Sequence, residues 1–109
     1  MTNEIYKTWS GKTAKEYKEY KGLRKESLRD NMDDIELILT DLSEEATKKL
    51  VEKHRPTGFK ENAGFAKKGG NVAKVARESL ESELGEPVVT KNNRLKYSYD
   101  DQPKKLERD

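Results

Sequence analysis

The sequence predicts an all-α protein: a helical hairpin of two main helices plus a short N-terminal helix, with flexible termini. Three observations predict it. Apolar residues recur at helical spacing over two long runs. Capping residues stand at Thr13 and Asp33, and a further helix starts at Thr57 or just after. Stop signals follow them, at Gly22, Pro56 and Gly85-Glu86-Pro87. Read along the chain, residues 1–11 form an irregular N-terminal arm, 12–90 a helical domain and 91–109 a polar C-terminal tail.

In the arm, Ile5, Tyr6 and Trp9 are isolated anchors. Thr13 then caps a short helix reaching about Tyr20, with a Lys-Glu-Tyr rhythm, and Gly22 ends or bends it. The first long helix opens at Asp33, where Glu36 three residues on completes the acidic half of a capping box. Ile35, Ile38, Leu39, Leu42, Ala46 and Leu50 fall on one stripe, which predicts the buried face. The acid-rich start and basic last turn suit the helix dipole, and Pro56 stops the run.

A second long helix follows Thr57. Its text, "FAKKGGNVAKVARESL", carries Gly69 and Gly70 side by side, each costing roughly 0.5–1 kcal/mol in a helix interior. Either the pair ends one helix and begins another, or the helix runs through. In the second case Ala63, Ala66, Gly70 and Ala73 make a strip almost without side chains, against which another backbone packs closely. Phe65, Val72 and Ala76 form a second stripe beside it, predicted with the glycines as a packing and dimer surface. Gly85 is a natural C-terminal cap. "PVVTKNNRLKYSY" then predicts a short extended piece or a last turn capped by Thr90.

The composition bounds function. The chain has 109 residues, 31% hydrophobic and 40% charged, so its own core is thin and a partner or second copy is expected to cover apolar surface. Net charge is only +2, but the charge is blocky: Asp33 to Thr47 holds six acidic residues and none basic. There is no cysteine, hence no disulfide or thiolate metal site. With no secretory leader and no apolar run near 18 residues, the cytoplasm is the default expectation, without membrane contact.

The search for chemistry finds no constellation of nucleophile and base. "SGKT" at residues 10–13 lacks the glycine that a phosphate-binding loop needs, since Tyr6 stands there. His54 is the sole histidine, at a helix end, and without companions it marks no metal site. The chain therefore reads as a non-enzyme with no metal and no cofactor. Two surfaces remain. Asp33, Asp34, Glu36, Asp41, Glu44 and Glu45 make an acidic face suited to binding a protein. Alternatively, Lys15, Tyr17, Lys18, Tyr20, Lys21 and Arg24, with Lys67, Lys68, Lys74 and Arg77, offer cations and rings for nucleic acid.

Residues 20–90 resemble a known family. The landmarks are Lys21-Gly22-Leu23, Asn31-Met32, Phe59-Lys60-Glu61-Asn62, Gly69-Gly70-Asn71-Val72-Ala73, Ala76-Arg77 and Gly85-Glu86-Pro87-Val88-Val89. Their order is similar to the C-terminal region of DNA-damage-inducible protein D and of prophage antirepressor proteins of the Bro type. The resemblance implies a prophage or mobile-element setting and a regulatory role tied to the damage response or to a host factor. It implies no catalytic residue. Such proteins place a DNA-binding domain ahead of this region, where this chain has 20 residues, so that DNA binding is not carried over. The function expected is an accessory protein binding a host or phage protein, including a repressor or a defence nuclease (an anti-CRISPR-like inhibitor belongs to this class).

Overall fold

The computed structural model describes residues 2–95. Four α-helices and one 3₁₀ turn follow in order: α1 Thr2–Ser10, α2 Ala14–Tyr20, the turn Arg29–Asn31, α3 Asp34–His54 and α4 Gly58–Leu84. Among the described residues there is no strand. The long pair, α3 and α4, forms the predicted hairpin.

The N-terminal arm corrects the sequence expectation, because it is helical. Ile5, Tyr6 and Trp9 are not isolated anchors but one buried face of α1. Gly11, at φ 82°, closes this helix and donates its N–H to Lys7 O at 3.0 Å. Thr13 then caps α2 in a reciprocal box: Glu16 N–H donates to Thr13 Oγ1 at 3.2 Å and Thr13 N–H to Glu16 Oε1 at 2.9 Å. Such a cap contributes about 1 kcal/mol.

At the start of α3, Asp33 N–H donates to Glu36 Oε1 at 2.8 Å. The helix ends at Arg55, whose φ of 48° is left-handed. Proline at 56 disfavours the right-handed helical conformation for the residue before it, so the chain turns there. Gly85, at φ 75°, caps α4 with an N–H donated to Glu81 O at 2.8 Å.

The helix α4 runs unbroken through both glycines. A Cβ added at Gly69 would lie 1.9 Å from Thr47 Oγ1, 2.7 Å from Thr47 N and 2.8 Å from Ser43 O. One added at Gly70 would lie 2.8 Å from Thr8 Cβ and 3.2 Å from Ile5 O. Adjacent helical residues point about 100° apart. Gly69 therefore receives α3 and Gly70 receives α1. Two glycines are needed because two helices dock at the same height. Ala66 and Ala73, a turn to either side, are also buried.

This closeness alters the predicted core face of α3. The buried residues there are Glu36, Leu39, Thr40, Ser43 and Thr47. Of the apolar stripe only Leu39 is buried; Ile35, Ala46 and Leu50 are half-buried, Ile38 is 59% exposed and Leu42 38%. A helix lying on bare glycine has room for Ser and Thr, not for Leu or Ile. Their hydroxyls donate to carbonyls of their own helix: Thr40 to Glu36 O (2.8 Å), Ser43 to Thr40 O (2.7 Å) and Thr47 to Ser43 O (2.8 Å). The polar face is thus satisfied without a partner from α4.

The larger side chains gather on the α1 side of the hairpin. Tyr17 meets Tyr6 and Trp9 edge to face, with centroids 6.1 and 6.0 Å apart. Leu23, Leu28, Met32, Leu39, Val88 and Val89 complete this core. The last described stretch corrects the tail as well. Residues 91–95 are not a loose polar segment. Asn93 Nδ2 donates to Lys21 O at 2.7 Å, Arg94 N–H to Asn31 Oδ1 at 2.8 Å, and Leu95 packs against the core. Residues 96–109 of the predicted tail lie outside the described residues.

Candidate functional site

Three of the predicted site residues meet in the interior. Lys21 and Glu36 have fully buried side chains, with Nζ and Oε1 2.7 Å apart. Lys21 Nζ also donates to Thr90 O at 2.9 Å and Asn92 O at 2.6 Å, which uses all three of its N–H groups. The Glu36 carboxylate further accepts Tyr17 OH and the N–H groups of Asp33 and Thr90. Burial, then the hydrogen bond to Glu36, push the Tyr17 phenol far above the ordinary tyrosine range. Every polar atom of this cluster is matched. It fastens the chain after α4 to α2 and to the start of α3. Tyr17 and Lys21 are therefore withdrawn from the nucleic-acid surface and Glu36 from the acidic face.

The rest of that acidic face is mostly engaged within the chain. Asp33 accepts Thr90 Oγ1 at 2.9 Å, and Asp34 pairs with Arg94 at 3.2 Å. Arg29 holds Asp41 at 2.5 Å and Glu44 at 3.0 Å. The hydrogen bond to Asp41 is the main cause that raises the guanidinium pKa above its ordinary value. Glu45 is exposed and keeps no ion pair among the described residues. Asp34, Asp41, Glu44 and Glu45 nonetheless stay exposed, while Asp33 is half-buried.

Four of the cationic residues line clefts. Lys15, Lys18 and Arg24, with Glu19, line one of about 440 Å³ over Leu23. Lys67 lines another, of about 290 Å³, with Lys7, Thr8 and Thr13. Tyr20 is half-buried, and its ring is covered by Lys12 at 4.3 Å and Lys91 at 5.5 Å rather than offered to a base. Lys74 is half-buried. Arg77 serves the fold: its Nε donates to Trp9 O at 2.7 Å and its guanidinium pairs with Glu81 at 2.8 Å. Lys68 lies 5.1 Å from the centre of the Phe65 ring, which stacks on His54 at 4.9 Å.

The predicted dimer surface also changes. Gly69 and Gly70 are used up inside the chain, Ala76 packs on the core, and Phe65 is half-buried against His54. Val72 remains, 45% exposed, and it has unforeseen neighbours. On α4, Gly70 looks to α1 and Gly69 to α3; Val72 comes about 60° further round, on the side away from α1. On α3, Leu37 and Glu44 turn towards the core and Arg29; Ile35 and Leu39 of the opposite stripe also pack on the core, while Ile38 and Leu42 beside them stay exposed. The hairpin thus bears an exposed flank. It carries Ile38, Leu42, Val72 and Val75, the last 57% exposed. The signal for it was in the sequence: paired glycines can seat two helices, and α3 seated on them keeps Leu39 inside but leaves Ile38 and Leu42 exposed.

Comparison with family models, curated proteins and solved structures finds no match for this chain. Among the described residues, no three His, Cys, Asp or Glu side chains gather to hold a metal, and no helix is long and apolar enough to cross a membrane.

Proposed function

We propose that this chain is a non-catalytic accessory protein of the phage or mobile-element type that acts by binding a protein through the exposed flank of its α3–α4 hairpin. The observation that carries the proposal is that four of the six large apolar side chains exposed among the described residues, Ile38, Leu42, Val72 and Val75, lie on this flank of a chain with few apolar residues. The resemblance of residues 20–90 to prophage antirepressor regions supports the setting. Its landmarks coincide with parts of the scaffold: buried Lys21, buried Met32, the glycine seats and the Gly85 cap. The likeness speaks for the frame, and the exposed flank supplies the role.

The test uses immobilised protein and a lysate of DNA-damaged bacterial cells. A specific partner is expected to be captured by the wild type and lost with Leu42→Glu/Val72→Glu, while far-UV circular dichroism stays unchanged. Capture indifferent to those substitutions would reject the flank. The rival, nucleic-acid binding through the Lys15–Lys18–Arg24 cleft, predicts affinity for DNA that falls steeply with salt, by about 0.9 logarithmic unit per phosphate neutralised. No DNA binding is expected at low salt.

A further inference from the structure

The ends of the exposed flank carry opposite charge. Near the hairpin turn stand Lys49 and Lys53 on α3 and Lys68 on α4, all exposed, with exposed Glu61 a heptad before Lys68, so that this end is cationic on balance. At the far end of α4 stand Glu83 and Glu86, also exposed, with Gly85 between them. Between the two ends lie Ile38, Leu42, Val72 and Val75.

We propose that the occupant of this flank is a second copy of the same chain, packed antiparallel about a two-fold axis passing near Leu42 and Val72. The inference rests on reading the flank as a protein-binding surface and names what binds there. A two-fold axis makes the patch meet itself, so each apolar centre covers the other. The antiparallel sense sets the lysine end of one chain over the glutamate end of its partner. The parallel sense would set Lys49, Lys53 and Lys68 against their own copies, and like charges brought together oppose association. The product is a four-helix bundle of two hairpins, with both copies of α1 on the outside.

The size is suitable for a reversible pair. From Ile35 to Lys53, α3 runs ~27 Å at 1.5 Å per residue. Two helices side by side are ~18 Å wide, since packed helix axes lie 8–10 Å apart. The patch is then on the order of 500 Å² per chain, or about 1,000 Å² in the pair, at the low end for a specific interface. Such an area fits weak, reversible association rather than an obligate dimer.

Sedimentation equilibrium of the full chain from ~5 to ~500 μM tests this. A monomer–dimer equilibrium is expected, shifted to monomer at least tenfold by Leu42→Glu/Val72→Glu. Charge reversal supplies a second test at exposed positions that leave the core intact: Glu83→Lys is expected to weaken the dimer, and adding Lys53→Glu to restore it. A dimer indifferent to all of these substitutions would overturn the proposal. So would a monomer at every concentration. In that last case, lysate capture that still depends on Leu42 and Val72 would leave the protein-binding flank standing with a different occupant, whereas its independence of both would remove that reading too.

Discussion

Lys21→Met tests the interior cluster most directly. The substitution keeps the length of the side chain but deletes an ammonium bonded to Glu36 Oε1, Thr90 O and Asn92 O. Glu36 would remain charged and fully buried, and two carbonyls would lose their donor. Removing one member of a buried ion pair costs about 3–5 kcal/mol, because the other stays desolvated and unmatched. Small domains have only about 5–15 kcal/mol in hand. Most of the stability should therefore go, with the melting temperature falling by roughly 15 °C or more. Urea unfolding at pH 7 and 25 °C, followed by far-UV circular dichroism, measures it. The double variant Lys21→Met/Glu36→Met should recover part of the loss, since replacing both charges by apolar groups can be nearly neutral. A loss under about 1 kcal/mol for Lys21→Met alone would refute the buried, fully matched pair.

Glycine substitutions should split in sign along α4. Gly64→Ala meets nothing within 4 Å and should stabilise by about 0.5–1 kcal/mol, whereas Gly69→Ala, driven against Thr47 and the Ser43 carbonyl, should destabilise by about 2 kcal/mol; thermal melts of both decide. Alkali should weaken the fold. Burial raises the Tyr6 and Tyr17 phenols, so above about pH 10 the unfolded chain releases protons that the native one retains, and stability falls by up to ~1.4 kcal/mol per pH unit for each ring. The same stabilisation is complete below pH 10, and Tyr17→Phe should flatten the decline seen in urea titrations between pH 9 and 11. Arg29→Ala should cost no more than about 1 kcal/mol despite breaking two ion pairs, because Asp41 and Glu44 are exposed and regain water.

Much of the frame was legible because it depends on local rules. Thr13, Asp33 with Glu36, Pro56 and Gly85 declare their roles within four residues of themselves. The paired glycines pointed to a close approach, which is where the helices meet. Less visible was what the approach does to its partner. Periodicity puts Ile38 and Leu42 on the inner face of α3, but a glycine surface accepts Ser43 and Thr47 there and turns the larger residues outward. The first helix hid because Ile5, Tyr6 and Trp9 are few, though their spacing is helical. The interior cluster was illegible for a different reason. Lys21 and Glu36 belong to the residue types least often fully buried, and two of the acceptors for Lys21 stand 69 and 71 positions away. Only the complete fold brings them together, which is why these residues read as surface charge.

That same long reach sets a timetable. A ribosome releases Lys21 early and the carbonyls of Thr90 and Asn92 long afterwards. Until residue 92 is free, the ammonium can pair with Glu36 but cannot complete its shell, and Val88 and Val89 have yet to join the core. The nascent helices can form one after another as they emerge, but cooperative locking must wait for the closing stretch. A stalled or prematurely cleaved polypeptide lacking it would expose its hydrophobic interior to proteases and chaperones, so quality control could sort finished molecules from unfinished ones by that single clasp.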